Sequence, residues 1–321
     1  MAVMVSKNNP KARFKIGTSR IGLSPLKRLL QVILILGLAI AFFCSSQPAL
    51  ARPSVSNPFE AGVTAMRSRH YSDAIQHLTR AVQTDRHVAA AYANRCLVYI
   101  WQQDYRQSIR DCTQAIALDP DNLEPYLNRG LARYRLGNYR AAIADYTSLT
   151  ELDANDYRAY YNRGLAYFAL DRYDRAVADY TAALRQLRDR DSPRASTIYL
   201  ERGCAQFNRQ HLDLALADFN RAIDANTNNA DAYFHRGQIW EQRGQSQRAL
   251  TDFTRTLQLQ SDRALARLKR GLLRERLGLH RGAVTDLQRA AADFRDRGNM
   301  AAYRQTRQWL RQLQASESAI G

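Results

Sequence analysis

From residue 55 onward the apolar positions fall in short stretches at helical spacing, two stretches to a block, with polar residues between them. Turn residues separate the two stretches, as in Gly137-Asn138-Tyr139 and Asp171-Arg172-Tyr173. The blocks recur every 34 residues. Tyr92-Ala93-Asn94-Arg95-Cys96 returns as Tyr126-Leu127-Asn128-Arg129-Gly130 and again as Tyr160-Tyr161-Asn162-Arg163-Gly164. An insertion at 191–195 interrupts the phase. It resumes with Tyr199-Leu200-Glu201-Arg202-Gly203, Tyr233-Phe234-His235-Arg236-Gly237 and the degenerate Arg267-Leu268-Lys269-Arg270-Gly271. The pattern predicts an all-α chain of seven helix hairpins that begin near 55, 89, 123, 157, 196, 230 and 264. Four hairpins fill 55–190 and three fill 196–297. One such hairpin cannot bury its apolar face alone, so neighbours stack. The last hairpin would leave a face open. Tyr303, Trp309, Leu310 and Leu313, near helical spacing within 298–316, predict a capping helix over it.

Residues 1–51 follow another pattern. Lys7, Lys11, Arg13, Lys15, Arg20, Lys27 and Arg28 come first, with no acid among them, and an unbroken apolar run from 32 to 44 follows. Next stand Ser45-Ser46-Gln47, Pro48 and Ala49-Leu50-Ala51. Charged, apolar, then small-x-small is the order of a secretory signal, and cleavage would leave Arg52 as the first mature residue. The run is shorter than the ~20 residues of a spanning helix. An uncleaved N-terminal anchor is the alternative. Both readings place the repeats outside the cytoplasm, because basic flanks stay inside. The expected compartments are the periplasm, the thylakoid lumen or the exterior.

These blocks resemble tetratricopeptide repeats. That family has an aromatic residue at position 4, a small one at 8, Ala at 20, an aromatic at 24, Ala at 27 and Pro at 32. The third block matches with Tyr126, Gly130, Ala142 and Tyr146 and departs at Leu149. The fourth matches with Tyr160, Gly164, Ala176, Tyr180 and Ala183, and Pro120 is the one proline at position 32. The resemblance implies a right-handed α-solenoid whose concave groove recognises a protein or peptide segment. Exported members of this kind serve as assembly factors or scaffolds.

Two rows of residues run through the blocks. Position 7 is arginine six times: Arg95, Arg129, Arg163, Arg202, Arg236 and Arg270. Sixteen residues after each stands an aspartate: Asp111, Asp145, Asp179, Asp218, Asp252 and Asp286. The first block has Ala61 and His77 instead, and this joint presence and joint absence predicts a structural ion-pair ladder. Position 6 holds Asn94, Asn128 and Asn162, flanked by Leu97 with Trp101, Leu131 with Tyr134, and Leu165 with Phe168. An amide both donates and accepts, so this row is a candidate peptide-binding groove. Its plainer reading is a solvated groove without a specific ligand. The family's clamp for acidic tails is not expected, since Phe59, Val63, Ala93 and Leu97 stand where it needs Lys and Asn.

Cys96 and Cys112 replace the small residue at 8 and the aromatic at 24 within one block. Those positions lie at one height on facing helices, which predicts a disulfide in an oxidising compartment. Two buried thiols are the alternative. Cys204 has no partner in this pattern.

Catalytic chemistry is not expected. His70, His77, His87, His211, His235 and His280 show no metal-ligand spacing, and there is no phosphate loop or nucleophile elbow. Neither a metal nor a cofactor is expected. The composition, 45% hydrophobic with 8 Pro, excludes a largely disordered chain. Net charge is +17, and the arginines crowd beyond Gln242. Such a face suggests, as a second possibility, an anionic membrane surface or cell-wall polymer as partner. Export argues against nucleic acid.

Overall fold

A computed structural model of the chain describes residues 57–84 and 87–320, with side chains as far as 315. The expected signal or anchor at 1–51 lies outside the described residues. Four hairpins come first: α1 (Pro58–Arg67) with α2 (Tyr71–Thr84), α3 (Val88–Trp101) with α4 (Tyr105–Leu118), α5 (Leu123–Arg135) with α6 (Tyr139–Leu152), and α7 (Tyr157–Ala169) with α8 (Tyr173–Gln186). Three follow: α9 (Pro193–Asn208) with α10 (Leu212–Ala225), α11 (Ala230–Gln242) with α12 (Ser246–Leu259), and α13 (Ala264–Arg276) with α14 (His280–Asp296). Helix α15 (Met300–Ile320) packs on α14. The described residues are all-α, an α-solenoid without a strand.

Short polar caps start many of the helices. Asn57, Asn122, Asp156, Ser192 and Asn229 each accept a backbone N–H from the first turn of the helix that follows. The turn inside each hairpin needs one residue in the left-handed region. Gly137, Gly244 and Gly278 supply it without strain, whereas Arg69, Gln103, Asp171 and Gln210 adopt it with a side chain. Part of the insertion at 191–195 becomes helix. Pro193 opens α9, which runs 16 residues against 13 in α7 and α11.

Packing inside a hairpin depends on a missing side chain. Ala74, Ser108, Ala142, Ala176, Ala215, Ala249 and Ala283, all at position 20, are completely buried. Opposite each glycine at position 8 lies the large residue at 24. A Cβ on Gly130 would sit 2.5 Å from Tyr146, and one on Gly203 would sit 2.6 Å from Phe219. The second hairpin solves the same contact differently. Cys96 and Cys112 are both fully buried, their Cα atoms lie 5.4 Å apart, and their sulfurs are joined. A short side chain at 24 makes room for one at 8.

Each helix packs on the next, and the odd helices from α1 to α11 also touch one another. The array therefore curves with its odd helices inside. On the other side of these helices the arginine row forms its ion pairs within each repeat. The closest approaches are 2.6 Å for Arg95 to Asp111, 2.8 Å for Arg129 to Asp145 and 2.8 Å for Arg163 to Asp179. They continue at 2.6 Å for Arg202 to Asp218 and 2.7 Å for both Arg236 to Asp252 and Arg270 to Asp286. A third member joins from the preceding repeat. Arg95 donates to Thr79, Arg129 to Thr113, Arg163 to Thr147, Arg202 to Thr181, Arg236 to Asn220 and Arg270 to Thr254. The row thus stitches repeats together as well as the helices within one. Removing Arg163 with Arg163→Ala is expected to cost about 3 kcal/mol, because Asp179 stays enclosed without its cation. Adding Asp179→Ala should recover part of that loss in a double-mutant cycle of urea unfolding; strictly additive losses would show the two residues to be uncoupled.

Candidate functional site

The inner, odd-helix face carries position 6 as Asn94, Asn128, Asn162, Glu201, His235 and Lys269 in successive repeats. Two cavities open along it. One of about 220 Å³ is lined by Tyr157, Arg158, Tyr161 and Asn162 of α7 and by Pro193, Arg194, Thr197 and Ile198 of α9. The other, about 350 Å³, is formed by Phe168 of α7, Leu200, Glu201, Cys204, Phe207 and Asn208 of α9, and Asp231, His235 and Gln238 of α11.

Of the nine groove residues expected from the sequence, these cavities take in Asn162 and Phe168. Tyr134 and Phe168 stack edge-on against Tyr139 and Tyr173 of their own hairpins. Trp101 is 41% exposed and packs instead on Tyr71 of the first repeat. Leu97 and Leu165 are half-buried, and Leu131 is buried. The asparagine row needs correction. Asn94 is half-buried, but Asn128 and Asn162 are only 2% exposed, and their side-chain oxygens are enclosed without a hydrogen-bond partner among the described residues. Packing between adjacent odd helices shuts the acceptor side of these amides. A two-way amide contact to a peptide backbone is not available at those two positions.

The second cavity holds groups that the sequence did not single out. Glu201 makes no ion pair among the described residues. Burial pushes its carboxyl up to about 7, and the neighbouring Asp231 carboxylate adds to the rise. Asp231 has its own cation, Arg263, at 2.5 Å, and that guanidinium also lies 4.0 Å from the centre of the Phe234 ring. Burial holds His235 down to about 4, with Arg263 contributing in the same direction. Its ring stacks on Phe219, and Nδ1 lies 3.0 Å from Gln238 Oε1. Because that oxygen only accepts, Nδ1 donates and Nε2 is left as an acceptor. The Cys204 thiol is pushed well up by burial and by Glu201. A raised thiol beside a lowered imidazole is the reverse of a thiolate–imidazolium nucleophile pair. A change from amide to titratable residues along position 6 was the signal in the sequence.

Beyond His235 the groove closes. Lys269 and Arg276 each reach Glu241 at 2.8 Å, latching α13 to α11 across the inner face. The two groove cavities described above lie between α7 and α11.

A curved stack of helix hairpins with a cavity-bearing inner face defines the class: an α-solenoid scaffold for protein–protein interaction. The profile of the tetratricopeptide repeat matches residues 89–122, 127–195, 200–263 and 241–299, and the chain belongs to the tetratricopeptide-repeat family. Proteins of this family bind protein or peptide partners. Comparison with curated proteins finds no match. Among solved structures, a tetratricopeptide repeat protein from Parabacteroides merdae is 20% identical, with a TM-score of 0.59 over 78% of this chain and 97% of its own. PilF of Pseudomonas aeruginosa is 16% identical with a TM-score of 0.59, over 68% of this chain and 96% of its own. At these identities the likeness is one of fold.

The two shifted groups give stability opposite slopes with pH. Glu201 keeps a proton in the folded chain that it releases unfolded between about 4.5 and 7, so its contribution falls as pH rises through that window. His235 stays neutral folded while charged unfolded between about 4 and 6.5, so its contribution rises with pH there. Glu201→Gln should match the parent in thermal midpoint near its pH 4.5 reference and exceed it above pH 7, the end of the window. An offset between the two proteins that does not change with pH would contradict the assignment.

Proposed function

We propose that this protein is an exported, non-enzymatic scaffold that holds an extended segment of a partner protein along its inner groove. The observation that carries this reading is the pair of cavities strung along α7, α9 and α11 on the curved face. Aromatic residues and position 6 line them, while the ladder arginines at position 7 turn toward the even-numbered helices. An extended peptide laid across consecutive repeats would meet a new pocket about once per repeat. Export is supported by the order of charge, apolar run and small residues in 1–51, and by the bonded Cys96 and Cys112, which need an oxidising compartment to persist.

A photo-crosslinking amino acid at Leu165 or Asn208 in living cells should yield a protein adduct, whereas one at Arg304 on α15 should not. Adducts confined to α15 would move the site to the basic surface and overturn the groove reading. That second reading keeps one specific support. Arg281, Arg289, Arg304, Arg307 and Arg311 have no carboxylate in ion-pair range among the described residues, as a binder of anionic membrane or cell-wall polymer requires.

Export makes a separate chemical prediction. The isolated protein should begin at Arg52, and a non-reducing peptide map should contain one Cys96–Cys112 crosslink with Cys204 alkylatable. Reducing that bond, whose sequence separation is 16, is expected to lower stability by about 3 kcal/mol. Free thiols at both positions, or a full-length chain in the cytosol, would reject export.

A further inference from the structure

We propose that the cavity between α7, α9 and α11 is a subsite for one basic side chain, arginine or lysine, of the partner segment, with Glu201 as its counter-ion. The proposal rests on the groove reading and specifies what the groove selects. The cavity of about 350 Å³ has room for one long side chain. Its polar groups are rich in acceptors: the Glu201 carboxyl, His235 Nε2 and the side-chain oxygens of Asn208 and Gln238. Arginine and lysine side chains only donate, so they are complementary to such a lining. Phe168 and Phe207 offer apolar and ring surface for the stem and the cation.

Among the described residues no cation lies in ion-pair range of Glu201. Charge coupling links Glu201 to Tyr134 on α5, Tyr161 on α7, Tyr180 on α8, Cys204 on α9 and Asp231 on α11, while His235 of α11 lines the same cavity and Arg263 lies against Asp231. The three tyrosines and the thiol are held neutral by burial. Asp231 has Arg263 as its ion-pair partner, and Arg263 makes no ion pair with Glu201. A bound ammonium or guanidinium would favour the carboxylate over the acid. Binding would therefore release a proton near neutral pH, and affinity would rise as pH rises through the Glu201 titration. His235 titrates lower and contributes little to that rise.

The test uses the full-length protein and a phage-displayed random library of roughly nine-residue peptides, an extended length that crosses about two to three repeats. Selected peptides should share an arginine or lysine at one position. A synthetic consensus peptide should bind Glu201→Gln at least about tenfold more weakly, the loss of one charge-assisted contact. Norleucine in place of the basic residue should cause a similar loss, and the two losses should not add. Affinity should rise from about pH 5.5 to 8 for the parent and stay flat for the variant. The Glu201→Gln protein must keep its helical circular dichroism. Peptides that crosslink at Leu165 without a basic residue, or basic peptides that bind the variant equally well, overturn this inference and leave the groove reading intact. Selection of peptides that bind outside the groove, or of none, overturns both.

Discussion

The contact on which the array depends joins the arginine at position 7 to an aspartate in its own repeat and to a threonine or asparagine in the preceding one. Solenoids have no global core, so their stability is a sum of hairpins and interfaces between neighbours. A guanidinium presents its donors in a fixed fork, and here that fork engages two even-numbered helices at once. Arg163, for example, holds Asp179 with Nε and Nη2 and reaches Thr147 and Thr150 with Nη1. The ends of the chain show the polarity of the device. The first repeat lacks both arginine and aspartate, yet it keeps Thr79 for Arg95. Burial sets the cost. The Asp145 carboxyl is raised by desolvation in spite of both Arg129 and Arg133, so enclosure outweighs its two cations there. Such pairs fix how repeats sit on one another more than they add net stability.

With the stacking fixed on one side of the odd helices, the other side is free to vary. Position 6 passes from amides through Glu201 and His235 to Lys269, and the last of these is tied to Glu241. The same row thus has an enclosed section, an open section with cavities, and a latched section. Its chemistry is set by neighbouring repeats and not by any one of them. Glu201 is perturbed by Asp231 from the next repeat, and its own charge is felt by Tyr134 from two repeats before.

Much of the fold was legible because it is enforced at fixed intervals. A glycine at 8 and an aromatic at 24 must change together, since a Cβ on Gly164 would stand 2.7 Å from Tyr180. The cysteine pair is the same constraint met with two short side chains. Arginine and aspartate 16 apart could be read as partners because both vanish in the first repeat. Thr79, Thr113 and Thr147 were equally periodic, but threonine on a helix surface needs no explanation and so gave no warning. The groove was less legible. Asparagine at position 6 reads as an exposed amide until adjacent helices close over Asn128 and Asn162. The state of Glu201 depends on burial among three repeats and on having no ion-pair partner among the described residues, and spacing along one helix records neither.

Net charge was the least informative of the sequence features, for a related reason. The arginines beyond Gln242 suggest a continuous basic face, but many of them are already neutralised by acids elsewhere on the chain. Arg243 reaches Asp213, Arg263 reaches Asp231, Arg267 reaches Asp293 and Arg297 reaches Asp262, while Lys269 and Arg276 share Glu241. Several of these partners lie about one repeat away in sequence, too far for a local count of charge to pair them. An ion pair between exposed side chains adds little stability, but it does remove a charge from what a distant ligand senses. Recognition then depends on charges left without a partner. In the cavity between α7, α9 and α11 the group without one among the described residues is the Glu201 carboxyl, an acid in a basic protein.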